Sequence, residues 1–196
     1  IQGRYVMPKI IEYSFNGYAA TVITPDKPNG KWIWKTEFLY AFDKAEQALV
    51  EDGYTRVNYK ISDMYGSYNA VRLMHAFHLD LFTRFPLCKK ANLFGFSRGG
   101  LYAFNYSLFY PEYVDKVYLD APVLDLASWP WEDSPEQAGM LEEYCLTKDT
   151  LKKFRGSPVY NFKEFFSNEL PLLVVAGGSD EVVKFEDNAG KLIDYA

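Results

Sequence analysis

The sequence predicts a single α/β domain: a mostly parallel central sheet flanked by helices, with an N-terminal hairpin and a small cap insertion. Three observations predict it. Short apolar runs alternate with amphipathic ones, the rhythm of parallel strands joined by helical crossovers. One apolar run, residues 91–96, leads directly into Gly95-Phe96-Ser97-Arg98-Gly99 and then into a helical pattern. The chain of 196 residues fits one domain, 1–196, and is long enough to bury a substantial core.

Each element follows from local pattern. Residues 10–15 and 18–24 read as strands around Asn16-Gly17, a dipeptide suited to a type I′ hairpin turn. Residues 25–30, rich in Pro, Gly and Asn, read as a loop. Residues 37–51 read as a helix, because Phe38, Ala41, Phe42, Ala45, Ala48 and Leu49 recur at three- and four-residue spacing before Gly53. Val57, Tyr59 and Ile61 alternate, which predicts a strand over 55–61. A helix over 70–85 ends at Pro86. The strand at 91–96 is followed by a helix over 99–110, a strand over 115–119, a strand over 170–176 and a helix over 185–195. Residues 127–168, rich in Trp, Pro and Glu, break this rhythm and read as an insertion covering one end of the sheet.

Composition narrows the function classes. Hydrophobic residues make up 48% and charged residues 24%, ordinary for a soluble globular protein. Aromatic residues reach 18%, which predicts a bulky core and an aromatic-lined cleft or surface. The 21 basic residues are outnumbered by 26 acidic ones, and no basic stripe argues for nucleic acid. No run of about 18 apolar residues predicts a membrane span. No leader pattern is present, which points to the cytoplasm, although the chain begins at Ile1. Cys88 and Cys145 read as thiols in a reducing compartment, and no Cys/His spacing suits a metal. No cofactor is expected.

The pentapeptide carries the chemistry. A serine nucleophile must project from a tight strand-to-helix turn, and glycines two residues to either side remove side chains that would clash there. The following helix aims its amino end at the reacting carbonyl, and the backbone N–H of Arg98 is free to stabilise an oxyanion. The Arg98 guanidinium is expected to make local salt bridges. The strand over 170–176 opens into Gly177-Gly178-Ser179-Asp180-Glu181, which makes Asp180 the candidate acid. Glu181, Asp120 and Asp125 are lesser candidates. In the order Ser, Asp, His the base should follow Asp180, but the only histidines are His75 and His78, on the helix before the serine. Both read as packing or surface residues. The expectation is therefore a C-terminally incomplete hydrolase domain whose last strand and histidine lie beyond residue 196.

Four segments carry a resemblance: residues 30–38, residues 95–101, Leu119-Asp120-Ala121-Pro122-Val123-Leu124-Asp125, and residues 174–183. Together they resemble bacterial α/β hydrolases of the prolyl-oligopeptidase-like and acyl-esterase kind, from about residue 10 onward. The resemblance implies the α/β-hydrolase fold and an acyl-enzyme mechanism on a small ester, without metal or cofactor. It also implies a second oxyanion N–H from the segment 32–35, assigned to Trp34. Tyr65 is expected at the cleft border, with Trp129 and Trp131 roofing the acyl pocket. A serine peptidase, an acyltransferase and a non-catalytic protein on the same fold are the alternatives.

Overall fold

The structure is a computed structural model describing residues 7–196, so the first six residues of the predicted domain lie outside the described residues. Seven strands form one sheet. They are β1 (Lys9–Phe15), β2 (Tyr18–Thr24), β3 (Trp32–Lys35), β4 (Thr55–Tyr59), β5 (Ala91–Phe96), β6 (Val114–Asp120) and β7 (Leu172–Val175). Their spatial order is β1-β2-β4-β3-β5-β6-β7. β2 runs antiparallel to both its neighbours, and β4 through β7 are parallel. The hairpin closes through Asn16 and Gly17, both at positive φ, as a type I′ turn requires.

Seven helices accompany the sheet: α1 (Lys44–Glu51), α2 (Tyr68–Arg84), α3 (Gly99–Phe109), α4 (Pro135–Glu143), α5 (Lys148–Leu151), α6 (Phe162–Phe166) and α7 (Ala189–Tyr195). The short helices α4, α5 and α6 fall between β6 and β7, within residues 127–168. No helix among the described residues is long and apolar enough to cross a membrane. Cys88 and Cys145 are unpaired and exposed.

Two segments depart from the sequence expectation. Residues 32–35, expected as loop, are the fully buried strand β3. They sit between β4 and β5, so a short run of Trp-Ile-Trp is satisfied by ladders on both sides. The helix expected over 37–51 starts only at Lys44. Residues 37–43 instead form turns with Phe38 and Phe42 at φ +53° and +50°. The four-residue spacing of these two reflects a shared packing partner, Phe96, rather than a helical face.

The two faces of the sheet differ. Trp32, Trp34, Leu93, Val117 and Leu119 point to the face covered by α2 and α3 and are fully buried. The other face is covered by α1 on its β3–β4 side, where Lys35 and Glu46 form a buried ion pair. Toward β7 that face opens into a groove of about 550 Å³ against α1, and Leu173 and Val175 are 59% and 47% exposed.

His78 lies at the centre of the filled face. Its Nδ1 is 2.6 Å from the Tyr106 hydroxyl and its Nε2 is 3.0 Å from the Lys89 carbonyl. Trp32 packs edge-on against it at 4.7 Å. Burial favours the neutral ring and pushes its pKa from 6.5 down to about 4. Between those values the unfolded chain binds a proton that the folded chain excludes. The neutral ring's contribution is therefore complete above about pH 6.5 and lost as pH falls toward 4, a loss of about 3 kcal/mol. Denaturant unfolding of the wild type and His78→Gln at pH 7.5 and pH 4 should show the stability gap between them shrinking by that amount. A gap independent of pH would contradict it.

Candidate active site

β5 delivers Ser97 to the carboxyl edge of the sheet, and α3 begins two residues later. Ser97 adopts φ +52°, a left-handed conformation that non-glycine residues take rarely and at functional sites disproportionately. Three hydrogen bonds hold it there. Its N–H donates to the Asp120 carbonyl at 2.9 Å, and its carbonyl accepts from the N–H groups of Gly100 and Val123 at 2.9 Å each. Among the described residues no group hydrogen-bonds the Ser97 hydroxyl.

The turn exists because three glycines allow α3 to approach its surroundings. A Cβ on Gly95 would stand 2.9 Å from the Ala103 Cβ, one on Gly99 2.9 Å from the Thr36 Oγ1, and one on Gly100 2.6 Å from the Pro122 Cβ. Real Cβ atoms do not come so close, so the sequence Gly-x-Ser-x-Gly-Gly is required by packing on three sides.

The loop after β3 is stapled to this turn. The Thr36 hydroxyl donates to the Gly99 carbonyl at 2.8 Å, and the Thr36 N–H donates to the Phe94 carbonyl at 3.1 Å. Arg98 Nε donates to Glu37 Oε2 at 2.8 Å, and Glu37 is only 2% exposed. The N–H groups of Glu37, Phe38 and Arg98 have no acceptor among the described residues, and the Glu37 nitrogen lies close to the start of α3, 3.4 Å from where a Cβ on Gly99 would stand. Trp34 stands elsewhere: it lies inside the β3 ladder opposite Val57 and Leu93, with its ring buried against Trp32 and Phe77.

Asp180 sits in the loop leaving β7. Its Oδ1 accepts from the N–H groups of Val182 and Val183 at 2.8 and 2.9 Å, while Oδ2 is unpartnered among the described residues. The carboxyl ends of β5 and β7 are separated by β6 alone, roughly 10 Å at ordinary strand spacing. Asp125 is engaged by Lys191 at 3.1 Å and by the Ala127 N–H, and Asp120 accepts from the Tyr118 hydroxyl at 3.2 Å. Both are thus committed to local structure.

Tyr65 is buried at φ +46°, its carbonyl accepting from the Tyr144 hydroxyl at 2.9 Å. Burial raises its phenol above the ordinary value, while the Arg98 charge pulls it the other way, which places Tyr65 within the field of Arg98. Trp129 packs against Tyr65 at 6.4 Å, whereas Trp131 is 60% exposed. The histidines are remote from the turn. Both pack on Tyr106, seven residues into α3 and about 10 Å along it. His75 stacks on Tyr110 at 3.9 Å.

Sequence reasoning missed Glu37. A lone glutamate carries no motif, and its role depends on Arg98, 61 residues away. The faint signal was an arginine directly after Ser97, which needs a carboxylate once it is partly buried.

No protein-family model matches the chain, and no curated protein matches it significantly. Solved structures do. An S-formylglutathione hydrolase of Staphylococcus aureus superposes with a TM-score of 0.70 at 16% identity, covering 96% of this chain and 85% of that one. A fluorophosphonate-binding serine hydrolase of Staphylococcus aureus gives 0.69 at 16% identity, covering 97% and 86%. The acylaminoacyl peptidase of Pyrococcus horikoshii gives 0.68 at 12% identity, covering 97% of this chain but 36% of that one. Together with the seven-stranded, mostly parallel sheet and its flanking helices, these superpositions show that the chain has the α/β-hydrolase fold.

Proposed function

We propose that this protein is a serine hydrolase acting on carboxylic esters through an acyl-enzyme, with Ser97 as nucleophile. The observation that carries the reading is the Ser97 turn: a left-handed serine with an unpartnered hydroxyl at the amino end of α3, whose next residue, Arg98, has an unpaired N–H. In this reading Ser97 Oγ attacks the ester carbonyl, its proton passes through a general base to the departing alcohol, and water then hydrolyses the acyl-enzyme to the acid and the free serine. The Arg98 N–H and an N–H of the 37–38 segment hold the oxyanion, the latter in place of Trp34. The Arg98–Glu37 pair and the Thr36 hydroxyl position those donors. Asp180 orients a histidine through its open Oδ2. Neither His75 nor His78 meets that requirement, since both are held on the far part of α3. Tyr65 and Trp129 border the cleft, and Trp131 stands at its rim. The fluorophosphonate-binding relative is a serine hydrolase, which supports the choice of probe.

The engagement of both histidines also favours a second reading, a non-catalytic binding protein on the same fold. Fluorophosphonate labelling of the full-length protein separates the two. Labelling that disappears in Ser97→Ala supports the hydrolase, whereas no labelling at Ser97, or ester hydrolysis unchanged in Ser97→Ala, excludes it. A panel of short acyl esters against matched peptide amides then distinguishes esterase from peptidase.

Two variants test the supporting geometry. Glu37→Ala leaves Arg98 partly buried and unpaired, and should lower kcat by about ten- to a hundred-fold with little change in KM, because it misplaces donors used in the transition state. Glu37→Asp, which keeps the charge, should recover part of that loss. Gly100→Ala should destabilise the domain by about 1–3 kcal/mol in denaturant unfolding, because its methyl group meets Pro122.

A further inference from the structure

The rings of Phe38, Phe96 and Phe42 form a continuous shelf beside Ser97. Phe96 immediately precedes the serine. Phe38 packs edge-on against it with centroids 5.7 Å apart, and Phe42 packs tilted against it with centroids 5.1 Å apart. Arg98, the next residue after the serine, places its guanidinium carbon 5.1 Å from the Phe38 ring. Phe38 therefore spans both chain neighbours of the nucleophile. The Lys35 ammonium lies 5.6 Å from the centre of the Phe96 ring and is held by Glu46. The shelf is supported at Phe96 and open at Phe38 and Phe42, which are 41% and 80% exposed.

Two features argue that this exposure has a purpose. Phe38 and Phe42 both hold positive φ, where bulky side chains are rare and where glycine or asparagine serves if only a turn is needed. In addition, the two cations that touch the shelf are each neutralised, Arg98 by Glu37 and Lys35 by Glu46. The shelf thus offers ring faces and edges without a net charge to recruit an ion.

We propose that this shelf is the subsite for an uncharged aryl group of the substrate, carried within a few bonds of the carbonyl that Ser97 attacks. The assignment rests on the hydrolase reading above and names its substrate class: aryl-bearing esters. Ring-on-ring packing favours an aryl over an alkyl group by about three- to ten-fold.

A non-hydrolysable ketone tests the shelf independently of turnover. By ligand-observed NMR titration of the full-length protein, 4-phenylbutan-2-one should bind three- to ten-fold more tightly than hexan-2-one, by that same ring-on-ring preference. Phe42→Gly should erase most of the difference. That variant removes an exposed ring and relieves a positive φ, so its fold should be at least as stable as the wild type. In parallel, methyl 3-phenylpropanoate should exceed methyl hexanoate in kcat/KM by a similar factor. Ketone preference without turnover counts against the hydrolase reading and leaves the shelf standing. Turnover with equal binding of the two ketones, or a preference that survives Phe42→Gly, overturns the shelf. A dimer in sedimentation that Phe42→Gly dissolves, with no ketone preference, also overturns it and makes the patch a self-association surface.

Discussion

The amino end of α3 is wedged against three backbones at once, and most of the site's geometry depends on that wedge. Gly95 meets α3 from β5, Gly99 meets the loop after β3, and Gly100 meets the segment after β6. A side chain at any of these positions would push the helix outward. The helix could then no longer present its first amides beside Ser97, and the Thr36 and Glu37 contacts would be lost with it. The left-handed serine is the consequence. With β5 ending in the ladder and α3 starting at contact distance, one residue must reverse the chain, and three hydrogen bonds fix Ser97 in that role.

The sheet explains why the reactive elements gather at one edge. β3, β5, β6 and β7 are parallel, so the loops that follow them all emerge at the same end. The loop after β3 brings Thr36, Glu37 and Phe38, β5 brings Ser97, and β7 brings Asp180. The filled face anchors this arrangement through aromatic packing around Trp32, Trp34, Tyr106 and His78. Arg98 links the levels: its backbone begins the helix, while its side chain holds Glu37 and covers one side of Phe38. The same charge that holds Glu37 in the loop after β3 also lies against the Phe38 ring.

Much of this was legible in the sequence because it is local. The hairpin was set by Asn16-Gly17, β5 by a short, mostly apolar run, and the turn by glycines whose spacing encodes close approach. Residues 37–43 were not legible, because the same spacing of apolar residues that marks a helix also arises when two phenylalanines converge on one partner. Only the tertiary position of Phe96 decides between those outcomes, and it does so against the intrinsic preference of phenylalanine for negative φ. Residues 32–35 misled for a related reason. Four residues are too few for periodicity to register, so β3 is defined by ladders on both sides rather than by its own pattern. Trp34, which the resemblance implied as an oxyanion donor, therefore lies inside the strand rather than in the loop that leaves it.

Strain weighs on the choice between an enzyme and a binding protein. Ser97, Phe38 and Phe42 all hold left-handed backbone within one contact shell, at an expected cost of about 1–3 kcal/mol each. Two of these residues are large and exposed, so burial does little to offset the cost. A protein that used this edge only as a surface would gain from glycine at each position, and mutation toward glycine is locally simple. Retaining a serine and two phenylalanines there makes sense if the hydroxyl and the rings act on something that approaches from solvent. Unpaired amides at the same spot add a second cost of the same kind, since donors left without acceptors are stable only where water or a ligand reaches them. In the proposed reading, an oxygen held at the amides while the serine attacks would offset both costs, and this is the physical argument for catalysis over display.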